Sequence, residues 1–266
     1  MASHLENTVD WDHTIREIVT FTKNAVNEAR ADGVVVGLSG GVDSSLVAAL
    51  SVRALGKESV LGVMLPMAFT PTKDIQDAKE VARLLGIQTE CIPIQPVTDC
   101  IVEALKVDSA DLRLKIPLAN ICARTRMVVL YYFANAHNYL VAGTGDRSEL
   151  LIGYFTKYGD GGADFLPIGH LYKTQVRKLA QRLGIPQSIA FKPSSPQLYP
   201  GHKATDEIPI DYEKLDHVER MLFEDELTVE EVSDKTHVNT RIVEDVVERY
   251  RASAHKRSHP SMVREL

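Results

Sequence analysis

Apolar positions along the chain alternate between two periods. Ile15, Ile18, Val19, Thr22 and Val26 share one face across residues 11–30, the stripe of an amphipathic helix. "VVVGL" (34–38) is then a continuous apolar run, the pattern of a strand buried on both faces. From Ser44 to Leu55 alanine, leucine and valine return to helical spacing. "SVLGVMLP" (59–66) predicts a second strand, Lys73 to Leu85 its helix, stopped by Gly86, and "QTECIPI" (88–94) a third strand. Helical stretches follow near 97–106 and 117–137, and "YLVAGTG" (139–145) predicts a fourth strand ending in small residues.

Strands alternating with helices mean βαβ units: an α/β fold, a parallel sheet and helices on both faces. Ligands of such sheets sit at the carboxyl ends of the strands. The turns "SGGVDSS" and "GTGDRSE", after the first and fourth strands, both fall at that edge. Residues 144–172 carry little helical pattern and many glycines, yet hold Tyr154, Phe155, Tyr158 and Phe165. A loop of that length is functional or disordered, and its aromatics argue for function. A helix is expected at 173–183, ending at Gly184 and Pro186. The proline-rich, polar stretch 192–209 reads as mobile, and from Tyr212 the chain reads as helical to its end, an appendage to the core. No internal repeat is visible. All of 1–266 is read as one domain, with 211–266 part of it.

Composition adds exclusions. With 266 residues, 44% hydrophobic and 25% charged, the chain suffices for one large core. No apolar run approaches the ~20 residues of a membrane helix. "MASHLENTVDWDHTIREIV" lacks the basic start and apolar core of a secretory signal, so a cytoplasmic protein is expected. Cys91, Cys100 and Cys122 form no CxxC pair, and neither a disulfide framework nor a zinc site is indicated. A net charge of −6 argues against general nucleic-acid binding. The stretch 226–257 has the spacing of a helix-turn-helix, but the crowd of Glu226, Glu230, Glu231, Asp234, Glu244, Asp245 and Glu248 on it opposes phosphate contact, and a packing element is the better account.

The candidate chemistry starts at Ser39-Gly40-Gly41. A glycine turn at a helix N-terminus aims backbone amides outward, as an anion site requires. A glycine turn with a serine cap also needs no ligand at all. The lysine of the common GxxxxGK[ST] loop is missing, and Asp43 follows the glycines instead. A carboxylate beside bound phosphate calls for a cation between them, and magnesium is the simplest. "SGGVDSS" resembles the signature of the PP-loop (N-type) ATP pyrophosphatases. That resemblance implies cleavage of ATP between the α and β phosphates, activation of a carboxylate or carbonyl as an adenylate, and release of pyrophosphate. It leaves the acceptor open.

The longer strings narrow it. "NICARTRMVVLYY", "AGTGDRSELLIGYFTKYGDGGADFLPIGHLYKTQVRKLA", "LGIPQSIAFKPSSPQL", "DEIPIDYEKLD" and "AHKRSHP" resemble the ammonia-dependent NAD synthetases over most of the chain. The resemblance implies a Rossmann-like core of the adenine nucleotide alpha hydrolase type, a homodimer, and formation of NAD from deamido-NAD, ATP and ammonia through an adenylated nicotinate. It implies ATP contacts by Gly37, Leu38, Ser39, Gly40, Gly41, Val42, Asp43, Ser44, Ser45, Thr144, Lys173 and Ser195. Asp43 and Glu149 would hold magnesium, and Lys173 would neutralise the triphosphate. Arg124, Lys157, Asp164, His255 and Lys256 would bind deamido-NAD, the last two in a site shared across the dimer. Asp43, Lys173 and Asp164 are the catalytic candidates, Asp164 as a base that strips ammonium. Residues 67–74 and 192–209 read as lids protecting a hydrolysable anhydride. The rivals are another PP-loop enzyme, such as an amidotransferase or tRNA-modifying enzyme, and a non-enzymatic nucleotide-binding regulator. A glutamine-dependent synthetase would need an added amidase domain, for which the matched strings leave no room.

Overall fold

The computed structural model describes residues 9–108 and 111–263. A helix α1 (Trp11–Glu28), capped by the Asp10 side chain, precedes strand β1 (Gly33–Gly37) and helix α2 (Val42–Leu55). Strand β2 (Val60–Met64), α3 (Thr72–Leu85), β3 (Gln88–Cys91) and α4 (Gln95–Leu105) follow. Then come α5 (Lys115–His137), β4 (Tyr139–Val141) and a short α6 (Arg147–Leu151). The remaining helices are α7 (Lys173–Arg182), α8 (Gln187–Ala190), α9 (Tyr212–Phe223), α10 (Val229–Thr236) and α11 (Thr240–Ala252).

The four strands pair in parallel in the order β3-β2-β1-β4. From β1 the chain first builds outward to β2 and β3, then returns to place β4 on the other side. A crevice opens where the order reverses, between the carboxyl ends of β1 and β4. Strand residues alternate between faces. Val34, Val36, Val60 and Met64 join α1, α2, α3 and α7 in one core. Val35, Leu61, Val63 and Val141 join Cys122 and Ala134 of α5 in another. The predicted two-faced sandwich is therefore present. The third strand is an exposed edge, and the fourth is three residues long. Phe165 makes an isolated parallel bridge with Ala142, so the long loop continues the sheet beyond β4.

The C-terminal region is not one helical run. α9, α10 and α11 bury Leu215, Val218, Val232, Val243 and Val246 together with Ile152, and a 3-10 turn (Ala254–Lys256) closes the region. The helix-turn-helix spacing is thus spent on packing against α9, and residues 264–266 of the expected helical end lie outside the described residues. Among the described residues no helix is long and apolar enough to cross a membrane.

Candidate active site

Three helix N-termini meet at the crevice. α2 begins at Val42, two residues before the expected start, which puts Asp43 in its first turn. Asp146 caps α6 and accepts the Glu149 amide at 2.9 Å, which fixes Glu149 in that helix's first turn. Lys173 opens α7, where Gln175 Oε1 accepts the Tyr172 amide at 2.9 Å. Helix N-termini favour anions, so carboxylates gather there.

Lys173 is fully buried, and its Nζ lies 2.8 Å from Asp43 Oδ1, 2.9 Å from Asp146 Oδ2 and 2.9 Å from Glu149 Oε1. One ammonium thus sits among three carboxylates. Burial opposes its charge, yet the attraction of Asp146, Asp43 and Glu149 wins and raises its pKa well above the ordinary lysine value. Burial pushes Asp146 well above the usual carboxylate range against the pull of Lys173, and raises Glu149 for the same reason. The Tyr212 hydroxyl donates to Glu149 Oε1 at 3.3 Å. Behind them the Lys173 amide donates to Ser148 Oγ (2.9 Å), and Ser148 Oγ to Asp216 Oδ1 (2.6 Å). The anions that offset Lys173's unfavourable helix position therefore belong to the protein. It is not a solvated lysine waiting for phosphate.

Beside this cluster lies a cavity of about 430 Å³, within the range of small-molecule sites. Of the expected ATP-site residues, Gly37, Leu38, Ser39, Gly41, Val42, Asp43, Ser44, Thr144 and Ser195 line it, as do Glu149 and Lys256. Gly40 and Ser45 are not among its lining residues: Gly40 O accepts from Lys192 at 2.9 Å, and Ser45 Oγ donates to Gly41 O at 2.7 Å. Thr70 and Asp74 from the first expected lid, and the 192–199 part of the second, form its far wall. Arg126 ties that wall down: its guanidinium donates to Leu65 O at 3.3 Å, Pro196 O at 3.2 Å and Gln197 O at 3.0 Å.

The expected dinucleotide residues gather at the rim within one chain. Arg124 Nε donates to Lys157 O at 3.3 Å, and Lys157 Nζ to His255 O at 2.7 Å. Lys256 Nζ donates to Gly153 O and Phe155 O, both at 2.8 Å, and lines the cavity of its own chain. The tight turn at 254–256 folds back onto the loop after α6, which brings Lys256 to the cavity of its own chain. Asp164 is a correction. Its Oδ2 accepts Val141 N at 2.7 Å and its Oδ1 accepts Tyr131 Oη at 3.1 Å. It pins the sheet edge, its oxygens are engaged, and it is not a cavity residue, so it is not placed to strip ammonium.

Sequence reading missed Asp146, Arg126 and Lys192. For Asp146 a signal existed: "DRSE" has the N-cap and N3 acid of a capping box. Arg126 and Lys192 act through tertiary contacts to residues about 60 and 150 positions away, which no local pattern announces.

The family model for NAD synthase matches residues 14–260. The NH(3)-dependent NAD(+) synthetase of Hyperthermus butylicus is 49% identical over 95% of this chain and 90% of its own length, and that of Staphylothermus marinus 46% identical over 95% and 91%. Among solved structures, the NMN synthetase from Francisella tularensis superimposes with a TM-score of 0.83 at 30% identity, covering 96% of this chain and 99% of its own. A family match over nearly the full chain, relatives close to half identical and a shared fold agree: the chain belongs to the NAD synthase family.

Proposed function

We infer that this chain is an ATP-consuming ligase that amidates deamido-NAD with ammonia, yielding NAD, AMP and pyrophosphate. The observation that carries the reading is the Asp43–Glu149–Lys173 cluster at the edge of the phosphate-loop cavity, in a chain related end to end to NH(3)-dependent NAD(+) synthetases. The nicotinate carboxylate attacks the α-phosphate, pyrophosphate leaves, and ammonia then attacks the adenylated carbonyl and displaces AMP.

Magnesium fits the residues present. Asp43 and Glu149 are hard oxygen donors, both on the cavity and both within 2.9 Å of one amine. Magnesium is commonly held by one or two carboxylates plus substrate phosphates, and there it supplies charge neutralisation for the departing pyrophosphate. The chain's own residues do the rest. Amides of the 39–45 loop cradle the phosphates, and Lys173 keeps Asp43, Asp146 and Glu149 in one fixed arrangement. Lys256 and the Arg124–Lys157 rim receive the dinucleotide's negative charges. Positioning and electrostatics of this kind suffice for phosphoryl chemistry with little acid–base help.

We further propose a homodimer. α4 packs on α5, and Val97, Ile101 and Leu105 of α4 lie exposed together with Ile116, Val128 and Tyr132 of α5. An apolar stripe of this kind marks an interface, and the exposed Arg124 sits one turn before Val128 on the same helix.

The test is a product assay with deamido-NAD, ATP, magnesium and ammonium. AMP, pyrophosphate and NAD in equal amounts support the reading; ADP and orthophosphate overturn it. The likeness to an NMN synthetase motivates one competing acceptor, nicotinate mononucleotide. A higher kcat/KM for the mononucleotide would replace the dinucleotide as the substrate.

A further inference from the structure

The phosphate loop is gripped by a lysine of the cavity's far wall that the reaction as described does not use. Lys192 Nζ donates to Gly40 O at 2.9 Å and to Asp74 Oδ1 at 2.7 Å, and also pairs with Asp77. Asp77 is buried, and its other oxygen accepts from Lys73 at 2.5 Å. Gln197 Nε2 donates to the second oxygen of Asp74. One amine therefore ties together the phosphate loop, the first turns of α3 and the segment 192–197.

The grip falls on the peptide between two glycines. Gly40 has φ +77°, and a Cβ there would lie 2.1 Å from Asp74 O, so loop and helix touch backbone to backbone. Glycine on both sides of the Gly40–Gly41 peptide removes the side-chain barriers to its rotation. In a planar trans peptide the carbonyl and the following N–H point in opposite directions. With Gly40 O held by Lys192, Gly41 N–H is turned the other way, towards Ser39 Oγ at 3.2 Å, and Ser39, Gly41 and Lys192 line one cavity. A rotated peptide would present its carbonyl oxygen to bound phosphate, a repulsive arrangement.

We propose that Lys192 is a positioning residue for ATP: it holds the Gly40 carbonyl so that Gly41 N–H faces the triphosphate, and it makes that orientation conditional on the 192–197 segment being docked. The proposal rests on the reading of the loop as the ATP phosphate site. Pro193 and Pro196 flank the linkage and stiffen the segment that carries it.

Kinetics of the full-length protein test it. Lys192→Met keeps the aliphatic stem and removes the donor. Loss of one charge-assisted hydrogen bond to the loop should raise KM for ATP about tenfold, leaving kcat and KM for deamido-NAD within about twofold. Lys192→Arg should recover part of the loss. Lys192→Met leaves Asp77 with only Lys73, so its fold is open to damage. The double variant Lys192→Met/Asp77→Asn removes that charge, and its ATP KM should stay raised even where Tm returns to the wild-type value. An ATP KM equal to wild type in either variant overturns the proposal, as does an equal rise in KM for both substrates. The wild type is assayed beside them for deamido-NAD-dependent exchange of pyrophosphate into ATP. Absence of exchange there overturns the functional reading, and this inference with it.

Discussion

Asp43 and Lys173, 130 positions apart in the sequence, meet at 2.8 Å between Oδ1 and Nζ. The contact joins the first turn of α2 to the first residue of α7, and it sets one cation against the carboxylates of two further residues, Asp146 and Glu149. Its consequences are open to experiment.

Lys173 is the most consequential single position for stability. Truncating it leaves three carboxylates around a buried space with no counter-charge. Breaking a buried pair from one side costs about 3–5 kcal/mol. Lys173→Met should therefore lose both activity and Tm, as thermal melts and the NAD assay together report. A variant with wild-type Tm would mean that the carboxylates are neutral, and the charge balance described above would be wrong.

Asp43→Asn and Glu149→Gln should behave differently. Both side chains are about one-fifth exposed on the cavity, so the fold should hold while turnover falls by a factor on the order of 10²–10³, the usual effect of removing one preorganised charge-stabilising group. Circular dichroism checks the fold, and magnesium titration checks the cause. Wild-type turnover with unchanged magnesium dependence in both variants would remove the metal assignment.

Glu219 offers a test in the opposite direction. It is fully buried in α9, and neither carboxyl oxygen has a hydrogen-bond partner among the described residues. Burial, with Asp216 and Asp146 nearby, raises its pKa well above the ordinary value of 4.5. The folded state thus retains a proton that the unfolded chain releases, so stability is fully present below the unfolded pKa and declines as pH rises above it. Glu219→Gln removes that penalty. Its Tm should exceed the wild type's at pH 8, by ~2–4 °C per kcal/mol gained, and the difference should shrink towards pH 4. A difference independent of pH would show that Glu219 is not held protonated.

The rim lysine decides between two dimer architectures. Lys256 faces its own chain's cavity, so each chain should supply its own. Mixing an Asp43→Asn chain with a His255→Ala/Lys256→Ala chain, with subunit exchange confirmed by mass, should recover no activity. Recovery of about half the wild-type activity per mixed dimer, one intact site of two, would place His255 and Lys256 in the partner's site.

Local pattern alone determined much of this protein. The apolar runs of β1 and β2, the stripes of α1 and α3 and the glycine stops follow from burial and backbone freedom, and they were legible because strand and helix periods differ. The phosphate loop was legible too, since only a short glycine turn puts amides at a helix N-terminus. The tertiary structure decided what those pieces do together. β3 reads as a strand, but only its place at the sheet edge decides that it is exposed. Asp164 reads as a free acid, yet its oxygens are engaged by Val141 and Tyr131 across the fold. Lys173 reads as a cation for the triphosphate, until chain closure packs three carboxylates around it. Arg126 and Lys192 carry no site-like pattern, because their partners lie elsewhere in the sequence. Periodicity reports the faces of single elements; charge pairing and the grip on a peptide plane depend on where those elements meet.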